Sequence, residues 1–165
     1  MIKASNLVAT FFNIGYSKYL PGSLASLISG FFIYACIIKT NPSAIAQITV
    51  LFILIITAFL SINEYQKESK KKDPREIVID EVVGMYISLI FLNLIKINSY
   101  NALIVSEIDY FLLSFILFRL FDGFKPSFLY RIQIKESNLA ILLDDILSGV
   151  LTFILMLTLA LNGLI

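Results

Sequence analysis

Five carboxylates stand out in an otherwise oily chain: Asp80 and Glu81, then Asp122, then Asp144 and Asp145. Each group lies at or near the end of a long apolar run, where an ionised side chain is costly. A carboxylate near the middle of a bilayer costs about 2.5–3.5 kcal/mol on insertion scales, and less toward the interface. Acids kept in such places imply a shared task. Binding a hard divalent cation through oxygen is the chemistry that suits them.

The residues around these acids carry their own signals. Asp80 precedes Gly84 by four positions and Asp145 precedes Gly149 by four, so each pair shares a helix face. A glycine beside an acid lets a neighbouring backbone approach closely and bring two carboxylates to one ion. Ordinary packing with acids at helix N-termini is the competing account of either pair alone. Arg119, Asp122 and Lys125 form an i, i+3, i+6 row that suits a phosphate held beside a metal. Snorkelling of the two bases to lipid headgroups explains the row equally well. Pro21-Gly22-Ser23 puts a turn before an apolar helix, and Ser23 is either an N-cap or part of an anion nest. Asp73-Pro74 reads as a cap with proline opening a helix, and Arg75 can still face a phosphate. Glu107 and Asp109 fall toward the opposite end of their span and receive no chemical role.

The chain has 165 residues, 58% hydrophobic and only 15% charged, where a soluble domain carries about 25% charged residues. Apolar runs cover Leu20–Ile38, Ala44–Ile62, Ile77–Ile95, Ala102–Phe121 and Leu139–Leu161, each near the ~20 residues that cross a ~30 Å hydrocarbon core. The expected fold is therefore all-α: an integral membrane bundle of four to five transmembrane helices in one domain over 1–165. Met1–Ile14 reads either as an amphipathic helix on the membrane surface or as a plain core helix. Net charge is +1, which offers nothing to nucleic acid. There is no histidine, so imidazole-based hydrolase mechanisms are excluded. The single cysteine, Cys36, is expected to be a small buried hydrophobe and no metal ligand.

Charge sets the orientation. With Gln66–Glu76 in the cytoplasm, Lys3, Lys18, Lys67, Lys70, Lys71, Lys72, Arg75, Arg119, Lys125, Arg131 and Lys135 are all inside, leaving Lys39 and Lys96 outside. Alternation of the spans then brings all three acidic groups to the cytoplasmic interface, and Ser23 with them. One shared site becomes geometrically available.

In their order, four blocks resemble the phosphatidylglycerophosphatase A family across nearly the full chain. They are Leu20-Pro21-Gly22-Ser23-Leu24-Ala25-Ser26-Leu27; Ile79-Asp80-Glu81-Val82-Val83-Gly84-Met85; Phe118-Arg119-Leu120-Phe121-Asp122 with Lys125-Pro126; and Asp144-Asp145-Ile146-Leu147-Ser148-Gly149. Ser23 stands where the family often has Thr, Ala25 where it often has Gly, and Ser127-Phe128 replaces its Trp-Pro. The resemblance implies a Mg²⁺-dependent lipid phosphatase of the bacterial inner membrane, hydrolysing phosphatidylglycerophosphate to phosphatidylglycerol with its site facing the cytoplasm. Asp80, Glu81, Asp122, Asp144 and Asp145 are then the expected metal ligands. Asp80, Asp122 and Asp145 are the expected catalytic acids, and Ser23, Arg119 and Lys125 the phosphate-binding groups. Direct attack by water and a phospho-aspartyl intermediate both fit this set.

Other classes make different demands. A CDP-alcohol phosphotransferase shares Asp122-Gly123 but needs further glycines and aspartates that are missing here. A small cation or proton transporter would spread its acids through the membrane depth and pair broken helices. A purely structural membrane subunit leaves the costly acids unexplained.

Overall fold

The computed structural model describes residues 3–70, 74–93, 107–124 and 138–162. Backbone punctuation sets the first two long helices. Leu20 takes a left-handed conformation (φ 43°), and Pro21 then fills the first position of a helix α2 over Pro21–Thr40. Proline suits that position because its missing N–H has no helical partner to lose. The turn expected at Pro21-Gly22 is thus one residue earlier, and both residues are helical. Asn41, also left-handed (φ 44°), ends α2 by donating its N–H to Ile37 O. After Pro42, the Ser43 hydroxyl accepts from Ala46 N (3.3 Å) and starts helix α3, Ala44–Ser69.

Helix α3 runs seven residues past the apolar segment that marked it, well into the stretch expected to be a loop. Hydropathy marks where a helix leaves the membrane, not where it ends. The emerging turns find partners. The first helix, α1 (Ala4–Ala9), packs on α3, and Lys3 and Asn6 both reach Glu68. Helix α1 is shorter than the Met1–Ile14 expected, because Phe11, Phe12 and Asn13 are all left-handed and break it. A 3₁₀ turn at Ile14–Tyr16 follows. Its packing on α3, with Val8 and Phe11 against the core, makes this segment part of the bundle.

The remaining elements are α4 (Ile79–Leu89), α5 (Glu107–Phe124) and α6 (Asn138–Leu161). Pro74 does not open a helix; it makes a turn in which Ile77 N donates to Pro74 O (3.0 Å), and α4 starts at Ile79. Asp73 lies outside the described residues. At 1.5 Å per residue α4 is about 16 Å long, too short to cross a membrane. The continuous span expected over Ile77–Ile95 is therefore interrupted: the helix stops after Leu89, and Phe91 is left-handed (φ 64°). Among the described residues, three helices (α2, α3 and the Ala140–Leu161 part of α6) are long and apolar enough to cross.

Helix α4 is the axis of the bundle, and every residue in it except Glu81 is buried. Helices α2, α5, α6 and α3 surround it, with α2 against α5, α5 against α6 and α6 against α3. One core cluster joins Val82, Val83 and Ile87 of α4 to Ala58 and Ile62 of α3; a second joins Met85 and Leu89 to Ile37, Phe118 and Met156. The outward sides of α2 and α3 carry exposed Phe31, Phe32, Phe52 and Ile53, as expected of surfaces solvated by lipid. Cys36 is among these exposed positions, contrary to expectation. An apolar run does not reveal which side of a peripheral helix meets the core.

A backbone break at membrane depth needs its polar groups satisfied, and Gln47 does this. Its Oε1 accepts from Phe91 N (2.8 Å), and its Nε2 donates to Asn93 Oδ1 (2.9 Å) and Pro42 O (3.0 Å). Asn93 in turn donates to Asn41 Oδ1 and Pro42 O, and the Tyr86 hydroxyl donates to Gln47 O. One buried network thus ties the end of α4 to the α2–α3 turn. Gln47→Leu keeps the size but strands these groups, each costing about 1–3 kcal/mol. A lowered thermal unfolding midpoint in detergent is the expected result.

Candidate active site

Asp80 and Glu81 fall in the first turn of α4, where the helix dipole favours negative charge. Gly84, one turn on, meets Gly149 of α6 so closely that a Cβ on Gly149 would overlap Gly84 O. A Cβ on Gly84 would lie 2.7 Å from Asp145 O and 2.6 Å from the Phe118 ring. The two glycines let the α4 and α6 backbones touch, and so bring the acids one turn before each of them to the same place.

Helix α5 supplies the third wall. Arg119 and Asp122, three residues apart, share a face and pair at 2.9 Å between Nη1 and Oδ2. The same Nη1 lies 3.4 Å from Glu81 Oε1 and 3.5 Å from Ser26 Oγ of α2. The Ser26 hydroxyl itself donates to Gly22 O (2.9 Å). Glu81 lies against the first turn of α2, where a side chain at Gly22 would run into its carboxylate. Carboxylate oxygens of Asp122, Asp144 and Asp145 all lie within 4.8 Å of one another. The Asp145 carboxylate also feels the charges of Asp80 and Glu81, so the five acids share one neighbourhood between α4, α5 and α6.

The donor set suits a hard divalent cation. All five groups are carboxylates, with no nitrogen or sulfur among them. Asp80 Oδ1 and Glu81 Oε2 are buried without a hydrogen-bond partner among the described residues. Such an atom is costly unless something charged or polar meets it. Asp122, Asp144 and Asp145 are the three whose carboxylates could hold such a cation, and Asp80 acts on the Asp145 carboxylate beside them. Glu81 is instead engaged with Arg119.

The other expected phosphate-binding residues are less well defined. Ser23 lies in the first turn of α2, half-buried, but Ser26, one turn on, is the hydroxyl in contact with Arg119. Lys125 lies outside the described residues. Gly22 reads as part of a turn, and Ser26 and Phe118 stand within the family-like blocks, but the sequence assigns no chemical role to any of the three, because a serine and a phenylalanine inside apolar runs look like packing.

A model of the phosphatidylglycerophosphatase A family matches residues 7–160. The chain belongs to that family. A Bacteroides thetaiotaomicron protein provisionally named a phosphatidylinositol-3-phosphatase is 28% identical over 155 residues, covering 90% of this chain and 89% of the relative. No solved structure matches. This phosphatidylglycerophosphatase A family member is therefore a phosphatase, a phosphoric monoester hydrolase carried on membrane helices. The transporter alternative loses its ground, since the acids gather in one place and the family is enzymatic.

Proposed function

We propose that this protein hydrolyses the terminal phosphate of phosphatidylglycerophosphate, giving phosphatidylglycerol and inorganic phosphate, with Mg²⁺ as cofactor. The observation that carries the reading is the meeting of Asp122, Asp144 and Asp145 within 4.8 Å, next to Arg119. The strong excess of Lys and Arg on one side supports a site facing the cytoplasm of a bacterial inner membrane.

In this reading Asp122, Asp144 and Asp145 hold the cation, with Asp80 as a flanking ligand or base. A bound divalent cation supplies Lewis-acid polarisation of the phosphoryl group and makes water more acidic. Arg119, already shared between Glu81 and Asp122, turns its guanidinium to the phosphoryl oxygens. Ser26 and Ser23 line the α2 side of the same space. Asp80, with its unpartnered Oδ1, accepts the proton of the attacking water. As the phosphorus–oxygen ester bond breaks, that proton passes to the departing glycerol oxygen. Apolar helix surfaces keep the acyl chains in the leaflet while the headgroup reaches the interface.

Arg119→Lys keeps the charge but loses the fork. A charged hydrogen bond contributes about 1.5–3 kcal/mol, so KM is expected to rise about 10–100-fold with a smaller change in kcat. Steady-state kinetics on mixed micelles checks this.

The relative's printed name raises a second headgroup, phosphatidylinositol 3-phosphate, which is also a phosphate monoester on a lipid. Phosphate release by the purified protein should be compared on both lipids, with Mg²⁺ and with chelator. The expected result is Mg²⁺-dependent release that is faster from phosphatidylglycerophosphate. Preference for the inositol lipid would overturn the substrate assignment, and full activity in chelator would overturn the metal.

A further inference from the structure

Among the described residues, the ring of helices around α4 is closed on three sides and open on the fourth. Helices α2 and α3 are joined by a three-residue turn yet scarcely touch. Between them lies a groove of about 630 Å³ with Val82 and Tyr86 of α4 as its floor. Phe11 and Phe12 form one end, and Thr40 and Pro42 the other. Along α2 the lining runs from Ile28 to Thr40, about 18 Å at 1.5 Å per residue. One leaflet of a ~30 Å hydrocarbon core is about 15 Å deep.

The groove is continuous with the outer faces of α2 and α3, whose Phe32 and Ile53 are exposed (68% and 58%) and meet lipid in a membrane. No described residue covers its opening, which in a membrane faces hydrocarbon, and its length suits one extended chain. The phosphate-binding space opens on another side of α4. Gly84 meets Asp145 of α6 and Asp80, one turn earlier on that face, acts on the Asp145 carboxylate, whereas Val82 and Tyr86, about 200° round the helix, line the groove. The groove and the acidic site lie on opposite sides of α4.

We propose that this groove seats an acyl chain of a bilayer phospholipid that is not the substrate, completing the wall around α4. The seat rests on the membrane architecture and does not depend on which phosphate ester the enzyme hydrolyses. The chain's one cysteine supplies the probe, because Cys36 lines the groove and is exposed. The purified protein in detergent is titrated with phosphatidylcholine, and alkylation of Cys36 by N-ethylmaleimide is timed. The rate is expected to fall severalfold and to level off near one lipid per chain, while soluble glycerophosphocholine has no effect. Val50→Trp, which fills the groove from α3, is expected to remove the lipid dependence and leave phosphatase activity in place. A rate indifferent to phosphatidylcholine overturns the proposal, as does protection that persists in Val50→Trp. Protection by the phosphorylated substrate lipid alone assigns the groove to the substrate, and Cys36-linked dimers under mild oxidation assign it to a second copy; either result overturns the proposal.

Discussion

Asp145→Asn is expected to cut phosphate release by more than about 100-fold while leaving the folded protein at least as stable. The first effect follows from position. Asp145 is buried, shares a 4.8 Å cluster with Asp122 and Asp144, and feels Asp80 and Glu81 as well. Removing an outer partner of a metal ligand typically costs about 10–100-fold, and removing a ligand costs more. The second effect follows from charge. Five carboxylates share this neighbourhood, of which Glu81 and Asp122 pair with Arg119, and like charges at this range repel. Asparagine keeps the shape and removes one unit of that repulsion. Without divalent cation the variant should therefore unfold at an equal or higher temperature than wild type; with Mg²⁺ wild type should gain more. Thermal unfolding with and without Mg²⁺, run beside the activity assay, reads both effects.

Gly149→Val is expected to remove activity by the opposite route, through the fold. At Gly149 the added side chain meets the Gly84 backbone carbonyl, not the movable end of a side chain. Over-packing a tight core contact costs about 1–3 kcal/mol even where side chains yield. Here relief requires α4 and α6 to separate, which pulls Asp80 away from Asp145. Gly123→Ala makes the contrast, since no described residue lies within 4 Å of a Cβ at Gly123. Its unfolding midpoint should stay near wild type, as for a surface change of about 0.5 kcal/mol or less. Equal damage from both substitutions would contradict the close-packed crossing as the device that assembles the site.

The gathering of the acids is legible because two readings combine: apolar length marks the expected spans, and the Lys and Arg excess assigns their expected sides, so the acids are expected at one depth. The structure brings the acids together even though the third expected span stops after Leu89. The Asp80–Gly84 and Asp145–Gly149 spacings also carry the crossing, since a small residue one turn after each acid is the visible trace of two touching backbones. Other features depend on partners distant in the chain. The stop after Leu89 is fixed by Gln47 accepting from Phe91 N across 44 positions, and nothing near Ile90 announces it. The engagement of Glu81 with Arg119 separates it from the three acids that cluster most tightly, although by residue type it is one of the five. Cys36 faces outward because α2 sits at the rim of the ring, a matter of assembly and not of local composition.

Cation binding at the acidic cluster can be measured without turnover. Mn²⁺ favours the same carboxylate oxygens as Mg²⁺ and can be followed on the purified protein by electron paramagnetic resonance. Bound Mn²⁺ is expected in wild type, with displacement by Mg²⁺ and loss in Asp145→Asn. Undiminished Mn²⁺ binding in that variant, or full phosphatase activity in wild-type protein holding no divalent cation, would contradict a catalytic metal held by these acids.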